Sequence, residues 1–198
     1  MHVTTVSAHD APQIVSYIYQ PQLLGQSHDA LLNITLSENQ QVLEGFTFYS
    51  TQWPVQKIFV RPHYSKLFER LIFHEQRKPD FTPTQILTGT PGVGKSLFSF
   101  YVLYNIFHRV GKDGNTGQDD PYQHLNSIVF VQMASSSRFW AFERDKGTKE
   151  WKAMGIASTI EKPDLYIYDC SWLSQTPSEI IVGGCINIII SSPRVSWA

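Results

Sequence analysis

The apolar positions of this chain fall into short runs broken by polar stretches, with one longer block among them. Residues 96–110 (SLFSFYVLYNIFHRV) are apolar on nearly every side of a 3.6-residue period and stop at Gly111, which predicts a buried helix. Residues 84–88 (TQILT), 127–133 (SIVFVQM), 165–168 (LYIY, ending at Asp169) and 186–190 (INIII) are short, apolar and rich in β-branched residues, which predicts buried strands. Residues 64–76 (YSKLFERLIFHEQ) set Leu67 and Leu71, then His74 and Glu75 a turn on, at helical spacing; an amphipathic helix ending before Lys78-Pro79 follows. Nearer the start, residues 30–36 and 42–49 read as two strands of a hairpin joined through Ser37-Glu38-Asn39-Gln40, and residues 53–55 and 57–60 continue the β character. Residues 138–142 are β-prone, residues 145–161 read as loop plus a short helix, and residues 111–123 as a surface loop. Residues 1–28 show no clear period.

Between the predicted strand at 84–88 and the long helix lies the octet GTPGVGKS, residues 89–96. It fits the phosphate-binding loop pattern, a Gly, four residues, then Gly-Lys-Ser/Thr. Chance produces the bare pattern in roughly 1% of chains this long, and the strand before and helix after it reduce that further. Each residue type has a task. Gly89, Gly92 and Gly94 allow positive φ and close approach to an anion. The amides of Thr90, Val93, Gly94, Lys95, Ser96 and Leu97 then face phosphate oxygens beside a helix N-terminus, with Pro91 stiffening the turn. Lys95 is expected to face solvent in the free protein and to reach the β- and γ-phosphates, while the Ser96 hydroxyl holds Mg²⁺. The bland alternative is a glycine-rich turn that binds nothing.

A second acidic group is needed to organise Mg²⁺. Asp169, at the end of an apolar strand, meets that need, because ligands of open α/β sheets gather at the carboxyl ends of the strands. Otherwise it caps a turn. The residues after it are Cys170 and Ser171, so no carboxylate stands next to it to polarise water; Glu143, Glu161 and Glu179 are unassigned. The run 186–190 leads into Ser191-Ser192-Pro193-Arg194, where a serine near the γ-phosphate and Arg194 as an arginine finger compete with an ordinary Ser-Pro turn.

Composition narrows this only slightly. With 42% hydrophobic and 13% aromatic residues over 198 positions the chain is globular, with room for one sizeable core. A net charge of −1 gives no general footprint for nucleic acid or acidic membranes. No signal peptide is visible, and the most apolar stretch is too short to span a bilayer, so an intracellular, cytoplasmic or nuclear, protein is expected. Cys170 and Cys185 read as reduced, buried thiols rather than a disulfide framework. The scattered histidines show no metal-ligand spacing.

Several segments together resemble the P-loop NTPase module of Crinkler-type effectors and kinetoplastid retrotransposon hot spot proteins. The carrying residues are Phe59-Val60-Arg61 with Tyr64 and Leu67-Phe68, the stretch 86–98 around the octet, the strand ending in Asp169, and Ile188-Ile189-Ile190-Ser191-Ser192-Pro193-Arg194. The resemblance covers roughly residues 57–194. It implies an α/β P-loop NTPase domain, residues 57–198, with a mostly parallel sheet flanked by helices, preceded by a β-rich segment at 1–56. It also implies ATP as the nucleotide, and the 186–190 strand lying between the octet's strand and the Asp169 strand. Crinkler effectors carry a secretion signal and a leader motif that this sequence does not show; export to a host rests on the analogy alone. The family continues well beyond the equivalent of Arg194, so the domain is expected to be incomplete.

Three readings stay open: a Mg²⁺-dependent ATP-binding protein with weak or conditional hydrolysis using Lys95, Asp169 and Arg194; a nucleotide-responsive interaction module or fragment with an unidentified protein partner; and a small-molecule or nucleoside kinase. The second is favoured over the third by the missing glutamate.

Overall fold

Chain order separates a run of short strands from a later set of longer strands and helices. The structure, a computed structural model, describes residues 2–6, 28–45, 48–49, 54–73, 84–90, 92–109, 125–132, 138–154, 162–170 and 185–191. Strand β1 (His2–Val6) comes first, then a 3₁₀ helix (His28–Asn33), β2 (Thr35–Leu36), β3 (Val42–Glu44), β4 (Phe48–Tyr49), β5 (Pro54–Val55) and β6 (Ile58–Phe59). Helix α1 (Tyr64–Phe73), β7 (Thr84–Thr88), α2 (Lys95–Arg109), β8 (Ser127–Gln132), β9 (Arg138–Arg144), β10 (Trp151–Ala153), β11 (Leu165–Asp169) and β12 (Ile186–Ile190) follow.

The fold is mixed α/β. A small antiparallel sheet has the order β2-β3-β6, β4 pairs with β5, and a larger mixed sheet runs β1-β7-β12-β11-β8-β9-β10. The middle strands β7, β12, β11 and β8 are mutually parallel, and β12 does lie between β7 and β11. The expected mostly parallel sheet is only half right. Strands β1, β9 and β10 are antiparallel additions at the two edges. The β9–β10 reversal is a tight turn that cannot cross over a face: Asp145 Oδ1 accepts from the amides of Gly147 and Thr148, and Oδ2 from Lys152 Nζ at 2.8 Å. Residues 151–153 are therefore strand rather than part of a short helix. Strand β1 carries no periodicity that distinguishes it from its polar surroundings.

The run at 30–36 is also corrected. Leu31 and Ile34, three apart, are both buried, and that spacing suits a 3₁₀ turn in which i and i+3 eclipse. The hairpin survives as the shorter pair β2–β3, closed by Ser37 N–H on the Val42 carbonyl at 2.8 Å.

Registered parallel partners share a face of the sheet, because side chains alternate along each strand. Leu87, Ile188, Ile190, Ile167, Leu165, Ile128 and Phe130 form one face, and α1 and α2 both pack on it. Helix α2 buries Phe98, Phe100, Val102, Leu103 and Ile106 almost completely. Phe100 meets Phe130 edge to face at 5.7 Å, and Phe107 meets Phe142 at 4.9 Å. Leu31, Ile34 and Leu43 belong to the same cluster, so residues on both sides of position 56 share one core. Gln85 donates its side-chain amide to the Leu71 carbonyl at 3.1 Å, tying β7 to α1. Among the described residues no helix is long and apolar enough to cross a membrane.

The amino ends of β8 and β11 are braced by Asp164. Its Oδ2 accepts from the backbone N–H of Asn126 at 2.7 Å, the N–H of Ser127 at 3.1 Å and the Ser127 hydroxyl at 3.3 Å. Asp164→Ala removes all three bonds and should lower unfolding free energy by about 1–3 kcal/mol in urea titration; a change within experimental error would show that water replaces them without cost.

Candidate functional site

Four parallel strands end together, and residues at their carboxyl ends make one row. Leu87 on β7 is in register with Ile190 on β12, Ile190 with Asp169 on β11, and Asp169 with Gln132 on β8. Arg138 on β9 is the register partner of Gln132. The octet leaves β7 at this edge and enters α2, so the loop, the helix N-terminus and Asp169 meet at the same end of the sheet.

The loop takes the backbone its glycines permit. Gly92 and Gly94 have φ of 78° and 83°, values that L side chains rarely adopt. At Gly94 space is closed as well: a Cβ would come within 2.6 Å of the Tyr64 hydroxyl and 3.2 Å of Arg61 Nε. The Gly94 carbonyl accepts the first α2 bond from Phe98 N–H at 2.9 Å and the Tyr64 hydroxyl at 2.8 Å. Tyr64 is fully buried, in edge contact with Phe98 at 5.1 Å, so α1 holds the loop from behind. Burial pushes the Tyr64 phenol up, while the neighbouring Arg61 pulls it down. The sequence placed Tyr64 at the start of a helix and linked it to the octet only through the resemblance; its contact with the loop is a separate structural fact.

Lys95 differs from expectation. It does not face solvent; it is only 6% exposed, and its Nζ donates to the carbonyls of Gly89 at 2.6 Å and Thr90 at 3.1 Å. The loop curls back so that its first carbonyls converge on the ammonium. Two of the three ammonium N–H groups are thereby occupied, which leaves one further donor on the ammonium. Burial pushes the Lys95 pKa below its ordinary value, and the Asp169 carboxylate opposes that shift. The two charges therefore act on one another across the edge of the sheet. Ser96 is half-buried in the first turn of α2. Its hydroxyl and the Asp169 carboxylate are hard oxygen donors of the kind Mg²⁺ prefers.

The other named residues are dispersed. Thr90 and Gly92 are exposed, Gly89, Val93 and Leu97 half-buried. Glu143 is exposed on β9 and pairs with Ser127, at the opposite end of β8 from Gln132, so it cannot serve this edge. Ser191 is buried, its N–H on the Leu87 carbonyl at 3.0 Å and its hydroxyl against the Cys170 thiol. Pro91, Glu161, Glu179, Ser192 and Arg194 lie outside the described residues. Gln132 escaped the sequence reading because a glutamine ending a β-branched run carries no motif. Comparison with protein-family models, curated proteins and solved structures finds no match to this chain.

Cys170 and Cys185 are buried thiols outside any disulfide, as their surroundings in the sequence implied. Cys170 Sγ donates to the Ile190 carbonyl at 3.1 Å. Burial pushes both thiols up to about 12, with the charges of Asp169 and Asp164 adding to it respectively. A thiol raised on folding contributes nothing below its unfolded pKa and costs stability as pH rises from there toward the folded value. Above about pH 9 each should lower unfolding free energy by up to about 1.4 kcal/mol per pH unit. Cys170→Ala with Cys185→Ala should flatten that slope in urea titrations between about pH 9 and 10; an unaltered slope would mean the thiols ionise in the folded chain.

Proposed function

We propose that this chain is a P-loop NTPase module that binds a Mg²⁺–nucleoside triphosphate through residues 89–97 and hydrolyses it slowly or conditionally. The observation that carries the reading is Lys95. A buried lysine, clasped by the carbonyls of its own glycine-rich loop at the N-terminus of α2 and acting on a carboxylate two strands from β7 at the same sheet edge, supports a site built for phosphate. The order β7-β12-β11-β8 supports the same reading, since it sets a strand between the loop strand and the acidic strand as in the ATPase branch of such proteins. Residues 57–198 form the proposed domain. ATP is the proposed nucleotide by resemblance to the Crinkler and retrotransposon hot spot modules; no Asn-Lys-x-Asp segment for reading guanine occurs in the sequence. An intracellular setting is proposed from the reduced, buried thiols of Cys170 and Cys185.

The loop amides and Lys95 hold the β- and γ-phosphates, and Ser96 with Asp169 would hold Mg²⁺. When bound, the ion neutralises charge on the β- and γ-oxygens. Asp169 also keeps the Lys95 ammonium charged against the cost of burial. Binding without turnover is the second reading, favoured by the buried thiol of Cys170 where a neighbouring carboxylate would stand.

Calorimetry of the purified chain with ATP and Mg²⁺, beside phosphate release, tests the proposal. Lys95→Ala should weaken ATP binding roughly 100-fold, from the lost charge-assisted bonds, and lower the melting temperature without preventing folding, because buried Asp169 loses its opposing charge. The fold survives because water reaches the exposed Thr90 and half-buried Gly89. Unchanged affinity in that variant would sink the phosphate role of the loop.

A further inference from the structure

Gln132 is 1% exposed, yet among the described residues neither its side-chain nitrogen nor its side-chain oxygen has a hydrogen-bond partner. A carboxamide carries two donors and an acceptor, and burying them without partners is costly. Such a group calls for an explanation, and position supplies one. Gln132 is the register partner of Asp169, one strand away at about 4.8 Å, on the face that α2 covers and at the edge where the loop enters that helix. Thr84, whose buried hydroxyl likewise has no partner, begins β7 at the opposite end of the sheet.

We propose that Gln132 orients the water that attacks the γ-phosphate, taking the part left vacant by the absence of a carboxylate after Asp169. The inference rests on the nucleotide-binding reading above. Two other described groups at this edge are committed elsewhere: the Cys170 thiol is buried and protonated and bonds to Ile190, and the Ser191 hydroxyl lies against that thiol. In the reaction the water oxygen bonds to the γ-phosphorus and the bond to the β,γ-bridging oxygen breaks. The diphosphate leaves with that electron pair, and the water protons pass to the phosphate product and solvent. The Gln132 carbonyl accepts a hydrogen bond from the water, and its NH₂ group donates to a γ-phosphate oxygen only as the transition state forms. An amide holds the water without removing its proton, which fits slow turnover.

The test compares the full chain with Gln132→Met and Gln132→Glu, reading Mg²⁺–ATP affinity, melting temperature and single-turnover phosphate release from about pH 5 to 8. Methionine matches the volume without hydrogen-bonding capacity. It should keep affinity within about threefold, raise the melting temperature by roughly 2–4 °C, and slow release about 10–100-fold. Glutamate should restore release and add a limb that rises with pH as the new carboxylate ionises, a signature that a packing role cannot produce. Release by Gln132→Met at the parent rate would overturn the proposal, as would a Gln132→Glu profile without the new limb. A parent chain that binds ATP and releases no phosphate would overturn it too, leaving the binding reading intact. A parent chain that binds no Mg²⁺–ATP would overturn the binding reading, and this proposal with it.

Discussion

Burial of α2 against the four parallel strands is the constraint on which the rest of the molecule depends. The helix is apolar on nearly all sides, so it needs cover beyond the sheet, and α1 and the 3₁₀ helix provide it. Its N-terminus is thereby fixed at the carboxyl end of β7, and only six residues separate Thr88 from Lys95. A link that short must reverse sharply, which is why Gly92 and Gly94 adopt positive φ there. Tyr64 completes the arrangement by binding the Gly94 carbonyl and packing on Phe98. The loop's shape is a consequence of helix packing, so the proposed anion site would be prepared before any anion arrives.

Electrostatics then separates this edge from the rest of the molecule. A lysine and an aspartate, both almost fully buried, act on each other near a helix N-terminus, which itself carries partial positive charge. Burying either group alone is costly, and removing one partner strands the other. The carbonyls of Gly89 and Thr90 share the ammonium's load, which a solvent-facing lysine would not require. Gln132 is a further unbalanced polar group a strand away.

Much of this was legible in the chain. Strands β7 and β12, the helix α2 and the placement of β12 between β7 and β11 follow from apolar runs, a glycine motif and family resemblance. The edges were harder. Strand β10 spans only Trp151–Ala153 and its pairing is set by the Asp145 turn, a contact made through side chains. The Leu31 and Ile34 pair looks strand-like until burial shows a period of three. Lys95 was misjudged because a motif states which residue binds phosphate and says nothing of how the loop closes on it. Glu143 could be set aside only once the antiparallel direction of β9 was known.

The most direct measurement is the Mg²⁺ dependence of ATP affinity in the parent chain and in Asp169→Asn, read by calorimetry with the ion present and chelated. The account predicts that Mg²⁺ strengthens ATP binding to the parent chain and that Asp169→Asn loses most of that gain while keeping its Mg²⁺-free affinity. An equal gain in both proteins would remove Asp169 from the metal site, and absence of ATP binding to the folded parent chain would contradict the account as a whole.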